Sequence, residues 1–265
     1  MKYRQLLRGR RGCLAGGLLV CALIAAGSVG WSGRAKAPGG EENLVLTERQ
    51  KQILRDRNLP EEYEKLTAVQ KETIREIEEL LCWLEQKYNR SFEFAAYRPA
   101  SFQEPDTAVL LFREAGADTE YRTAVLRRTW EGGKRILTDD FPAAAAEPLY
   151  EHLLQKHVRE FMNASCKVYG CVTDTSLAFP PEKEEDLTGS IAADACIWLP
   201  GREVTPERAD ELASHLRQWL GERKISGRCQ VMLLTEEAWE RLTRKNFAGY
   251  FGSKACIYRK ILRLP

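Results

Sequence analysis

The sequence holds few of the side chains that catalytic chemistry needs. Histidine occurs only three times, as His152, His157 and His215. A general base or a metal site must therefore draw on those rings, on cysteines or on carboxylates. No phosphate loop, dinucleotide-binding glycine pattern, nucleophile elbow or zinc-protease helix motif is present. The commonest nucleotide-dependent, esterase and metallopeptidase readings fall away with them. A surplus of charge is also missing, since Lys and Arg total 40 against 38 Asp and Glu. Residues 1–37 hold seven of the basic residues and no acidic one. The other 228 residues carry 33 basic and 38 acidic side chains, a net charge of −5. That balance excludes a protein that grips nucleic acid through a basic face.

The N-terminal stretch, MKYRQLLRGRRGCLAGGLLVCALIAAGSVGW, is informative. Lys2, Arg4, Arg8, Arg10 and Arg11 precede an uncharged run of 19 residues, from Cys13 to Trp31. A spanning helix needs about 20 apolar residues, whereas a secretory h-region has about 7 to 15. Residues 1–12 read as a basic cytoplasmic n-region and 13–31 as a transmembrane anchor. The N-terminus stays inside and the C-terminal domain lies outside. The alternative is cleavage near Ala37, at Ala35-Lys36-Ala37, which would give a secreted protein. Cys21 follows Val20 and Cys13 sits in the basic run, so neither has the setting of a lipoprotein cysteine. Residues 32–45 are a polar tether containing Gly and Pro.

The body of the chain reads as α+β in two parts, 46–178 and 191–265, joined by a Pro- and charge-rich linker at 179–190. Thr47 and Gln50, then Thr67 and Gln70, have capping-box spacing and start two helices. The second helix runs to about Tyr88, with Ile74, Ile77, Leu81, Leu84 and Tyr88 in one apolar stripe. Four strand signals follow as an antiparallel meander: SFEFAAY, TAVLLFR, EYRTAVLRRTW and KRILT. Gly132-Gly133 marks the last hairpin. A helix is expected over Pro148 to Met162, then a strand in CKVYGCVTD. The C-terminal part reads β-α-β-α-β: IAADACIWL, a helix capped by Thr205-Pro206, RCQVMLLT, the helix EEAWERLTRKNF, and KACIYRKILRL. That first helix is expected to bury Ala209, Leu212, Leu216, Trp219 and Leu220. The pattern leaves open whether the strands run parallel.

Six cysteines lie beyond the apolar run: Cys82, Cys166, Cys171, Cys196, Cys229 and Cys256. Most sit in strand-like sequence and read as reduced core thiols, with one or two disulfides as the alternative. A Cys–His nucleophile has no local signature here. A zinc site from His152, His157, Cys166 and Cys171 has the wrong spacing, because helical residues five apart point about 140° apart. Asp139-Asp140 could serve acid–base work, but adjacent acids after a strand are more often turn residues. The run Gly249 to Ser253 reads as a helix-to-strand turn. No residue is assigned to catalysis, to a cofactor or to a metal.

The stretch LTERQKQILRDRNLPEEYEKLTAVQKETIREIEELLCWLEQKYNRSFEF, residues 46–94, resembles a block in uncharacterised exported proteins of low-GC Gram-positive bacteria. RILTDD and LYEHLLQKHVREF are similar to the continuation of those proteins. The resemblance implies an extracytoplasmic, membrane-linked protein; it brings no known catalytic residue to any position of this chain and leaves activity open. Many of those proteins carry a lipoprotein cysteine, from which this sequence departs. The sequence thus points to an uncharacterised envelope protein, anchored or secreted, that works as a non-catalytic binding module. Its partners would be the membrane, through residues 13–31, and an envelope protein or surface ligand. The rival reading is an extracytoplasmic hydrolase using a Cys–His or carboxylate site.

Overall fold

The computed structural model describes residues 46–264. The basic n-region, the apolar run 13–31, the cleavage site at Ala37 and the tether lie outside the described residues. No helix among the described residues is long and apolar enough to cross a membrane. The chain divides into two compact units. Among the described residues, one comprises 46–115 together with Val125–Asp139, and the other comprises Gly116–Ala124 and 140–264.

The first unit contains helices α1 (Glu48–Asp56) and α2 (Ala68–Tyr88) and strands β1 (Phe92–Arg98), β2 (Ala108–Glu114), β3 (Ala124–Glu131) and β4 (Lys134–Asp139). Both capping boxes form. Thr47 N donates to Gln50 Oε1 at 2.9 Å and Thr67 N donates to Gln70 Oε1 at 2.8 Å, and each threonine hydroxyl accepts the glutamine amide in return. These contacts satisfy amides that the first helical turn leaves open. Asn58 and Asn89, both with positive φ, follow the two helices in the left-handed conformation that asparagine tolerates. The expected stripe of α2 is buried, with Leu80 added to it. Each such side chain contributes roughly 1.5–3 kcal/mol on burial. The strands form a sheet in the order β1-β2-β3-β4. Gly132 and Gly133 both have positive φ, as a two-residue I′ hairpin turn requires.

The second unit contains α3 (Phe141–Met162), β5 (Lys167–Thr175), β6 (Ile191–Pro200), α4 (Pro206–Glu222), β7 (Ser226–Leu234), α5 (Glu236–Arg241) and β8 (Cys256–Leu264). Its sheet runs β5-β6-β7-β8. The β6–β7 pair is parallel, and β5–β6 and β7–β8 are antiparallel. One face of the sheet packs Ile197, Leu199, Val231 and Leu233 against Tyr150, Leu154 and Val158 of α3 and Leu212, Leu216 and Leu220 of α4. The other face packs Trp198, Met232 and Leu234 against Trp239 and Phe247.

Four expectations are corrected. The third helix begins at Phe141, seven residues before Pro148. Pro142 takes the first turn, where no amide partner is lost, and the alanines that follow are strong helix formers. Pro148 is carried inside the helix. The helix expected over EEAWERLTRKNF ends at Arg241. There the Asn246 side chain accepts from Thr243 N at 2.8 Å and donates to Arg241 O at 2.7 Å, taking backbone groups that a continuing helix would use. Residues 179–190 lie inside the second unit, and Leu187 is buried in its core. Trp219 is only half-buried, because it faces a ring from α3 instead of the sheet.

Candidate functional site

A cluster of charged side chains in the second unit forms where α3 meets the outer edge of β5. Glu147 and Glu151 are one turn apart on α3, on the side that also carries Tyr150 and Leu154. They are 2% and 5% exposed. Two buried carboxylates on the apolar side of a helix demand partners. Glu151 accepts the amide of Gly170 on β5 and pairs with Arg244. Tyr121 Oη donates to the same carboxylate at 3.3 Å. The Arg244 guanidinium lies 4.2 Å from the Tyr121 ring centre and 5.5 Å from that of Tyr169. Glu147 accepts from Arg122 Nε at 2.7 Å, and Arg122 Nη1 reaches Asp140 Oδ2 at 2.6 Å. Arg122 Nη2 lies 3.5 Å from the carbonyl of Val172.

β5 is an edge strand, and an open edge is a template for unwanted pairing. Here a carboxylate meets the outward amide of Gly170 and a guanidinium meets the carbonyl of Val172. Burial raises the pKa of both glutamates. Arg122 opposes that rise at Glu147, and the Gly170 amide and Arg244 oppose it at Glu151. Desolvation outweighs pairing at both positions. A carboxyl with raised pKa can act as a general acid, but each oxygen of Glu151 is already engaged by a group of the protein.

The residues weighed from sequence fall in different places. Asp139 ends β4 and accepts Tyr88 Oη and Lys87 Nζ, both at 2.7 Å. Its neighbour Asp140 stands just before the first residue of α3, where its side chain binds Arg122 and makes no capping hydrogen bond. The two carboxylates serve separate ion pairs and share no site. His152 is exposed and lies 3.7 Å from Glu184. His157 meets His215, not a thiol, with 2.9 Å between the Nε2 atoms. Burial pushes the Cys166 thiol up to about 11 and raises that of Cys229 further. Both are protonated at neutral pH and weak as nucleophiles. Among the described residues no three His, Cys, Asp or Glu side chains gather as metal ligands. A surface depression of about 500 Å³ runs along residues 177–183, and none of these charged clusters lines it.

No family model and no curated protein matches the chain. A solved structure of a DUF5037 family protein from Ruminococcus gnavus ATCC 29149 is similar over 70% of this chain and 90% of its own, at 10% identity and a TM-score of 0.37. A likeness of that size assigns no activity.

The opposite edge of the same sheet differs from β5. β8 is the outermost strand, and its sequence CIYRKILRL contains Arg259, Lys260 and Arg263 and no acidic residue. Ile257 and Ile261 are 54% and 43% exposed. They alternate with Arg259 and Arg263 on one face. The other face carries Tyr258 and Lys260, which reach Asp210 of α4 at 2.7 and 2.9 Å. Arg259 Nε donates to Gln230 Oε1 on β7 at 3.1 Å.

The sequence reasoning missed Arg122, Glu147, Glu151, Gly170 and Arg244. One signal was available: two glutamates four residues apart beside Tyr150 and Leu154, where a solvated helix face would not place them. The arginines gave none, because their roles depend on loops folding back from 25 and 93 positions away.

Proposed function

We propose that the protein is a component of the bacterial envelope, held at the membrane by residues 13–31 or released after cleavage near Ala37, and that it acts by binding. One observation carries the binding role: the second unit's buried charges are turned on each other, while β8 offers the exposed Ile257, Ile261 and Arg263 at a sheet edge. Buried charges paired in this way brace a fold. A substrate would have to displace them, at a cost of several kcal/mol per ion. The basic run before the uncharged stretch supports the location.

The occupant that fits β8 is an extended acidic segment of another envelope protein, added as a further strand. Charge complementarity selects it, because β8 holds three cations and no acidic residue, and a second copy would bring the same sign of charge to the edge.

Two measurements test the reading. The first is intact mass from washed membranes and from culture medium. Full-length protein in the membranes, or a species starting near Pro38 in the medium, is expected; full-length protein confined to the cytosol would overturn the location. The second is photo-crosslinking in intact cells from position 261, with position 208 on α4 as the control. A heavier adduct from 261 alone is expected, and equal or no labelling would overturn the surface.

A further inference from the structure

α3 and α4 are joined by four rings and a guanidinium. His157 Nε2 and His215 Nε2 are 2.9 Å apart. Their ring planes differ by 14° and their centroids are 5.0 Å apart. The centroid spacing exceeds the nitrogen spacing by about two ring radii, so the imidazoles point nitrogen to nitrogen in nearly one plane. That is the geometry of a single N–H···N hydrogen bond. A metal ion would need both lone pairs to converge on a point about 2.0–2.1 Å from each nitrogen. Head-on rings at this spacing leave no room for one.

Each imidazole also stacks on a ring of the opposite helix. His157 of α3 lies on Trp219 of α4, with centroids 3.7 Å apart and planes 12° apart. His215 of α4 lies on Phe161 of α3, at 4.0 Å and 7°. The exchange is reciprocal: His157 and Phe161 are one turn apart on α3, and His215 and Trp219 are one turn apart on α4. Arg223, the residue that follows the last of α4, places its guanidinium 4.1 Å from the Trp219 ring centre. The charged groups acting on His157 are therefore Arg223 from α4, which disfavours a proton, and Glu160 from α3, which favours one.

We propose that the His157–His215 pair is an acid-responsive latch that clamps α3 to α4 while it holds at most one extra proton and opens when it takes a second. With both rings neutral, one nitrogen donates and the other accepts. One proton from solvent leaves the bond in place, now charge-assisted, and adds a cation to an aromatic stack. A second proton turns the remaining acceptor into a donor. Two N–H groups then face each other between two cations, beside Arg223, and the rings must part. Burial, His215 and Arg223 together hold His157 at about 4, in line with that order of events.

The test is a side-chain nitrogen NMR titration of the three histidines of the full-length chain in detergent micelles, from pH 8 to 3.5, with amide exchange in α4 followed alongside. His152 serves as the exposed reference. The expected result is two steps for the pair separated by more than about one pH unit. Protection of the α4 amides, corrected for the intrinsic pH dependence of exchange, should fall by about tenfold across the lower step only. In His215→Phe, which keeps a flat ring over Phe161, His157 should titrate in one step at higher pH. Two independent steps near 6.5 would overturn the latch. So would unchanged α4 protection down to pH 3.5, or an unmoved His157 titration in the variant. If that variant does not fold, the titration of the unaltered chain decides.

Discussion

Gly170 gives its amide proton to the carboxylate of Glu151, and the absence of a side chain at 170 is what allows the approach. A Cβ there would stand 3.1 Å from Tyr150 Cδ1 and 3.3 Å from Glu151 Cγ. Both neighbours belong to a packed helix and would have to give way by a few tenths of an ångström. Gly170→Ala should cost about 1–3 kcal/mol. The reading is the urea midpoint of the second unit, together with faster amide exchange at position 170. An unchanged midpoint would mean that α3 can retreat from β5 without penalty.

Arg122 and Glu147 form the other half of the same edge. Removing the cation alone leaves Glu147 buried and unpaired, so Arg122→Ala should lose about 3 kcal/mol. Replacing both with apolar residues of similar size, as in Arg122→Leu with Glu147→Leu, should recover most of that loss. A double-mutant cycle by denaturant unfolding measures the difference. Additive losses in the cycle would deny the pairing.

Stability should depend on pH through His157. Its value in the folded chain is about 4 against an ordinary 6.5, so the unfolded chain takes up the proton first as acid is added. The contribution is complete above pH 6.5 and is lost as pH falls from 6.5 to 4. Its size is at most about 2 kcal/mol once partial exposure is discounted. Glu147 and Glu151 act in the opposite sense, because their raised values make the folded chain the better proton binder. A thermal-midpoint profile of His157→Phe, set against the unaltered chain between pH 7 and 4, isolates the histidine.

Cys166 and Cys229 are buried, and burial raises both thiols. They should resist alkylation in the native protein for hours and react within minutes in denaturant. Intact mass after iodoacetamide treatment counts the adducts. Immediate native labelling at position 229 would require the sheet to open.

Local chemistry made much of the first unit readable. Thr47 with Gln50, Thr67 with Gln70, and Gly132-Gly133 each state a helix start or a turn within four residues, and no distant partner is needed to interpret them. The stripe from Ile74 to Tyr88 is equally local. Pro148 misled for the same reason: a proline is a good helix start in isolation, and only burial of the alanines before it reveals the longer helix. The parallel pairing of β6 with β7 was beyond reach, since period-two patterns do not encode direction. The site at the β5 edge was harder still. Arg244 and Tyr121 come to Glu151 from separate loops, and nothing within their own neighbourhoods marks them as its partners.

The place of β8 also bears on how the chain is made. β7 bonds to β6 on one side and to β8 on the other, and Val231 to Leu234 end up fully buried. During vectorial synthesis those four apolar residues emerge well before β8 does. Until Leu264 is delivered, β7 is a bare hydrophobic rim, able to zip onto the same rim of a neighbouring nascent chain. A stop codon inside β8 would make that interval permanent. Its expected phenotype is insoluble protein and clearance by proteases, not a slightly shorter folded product.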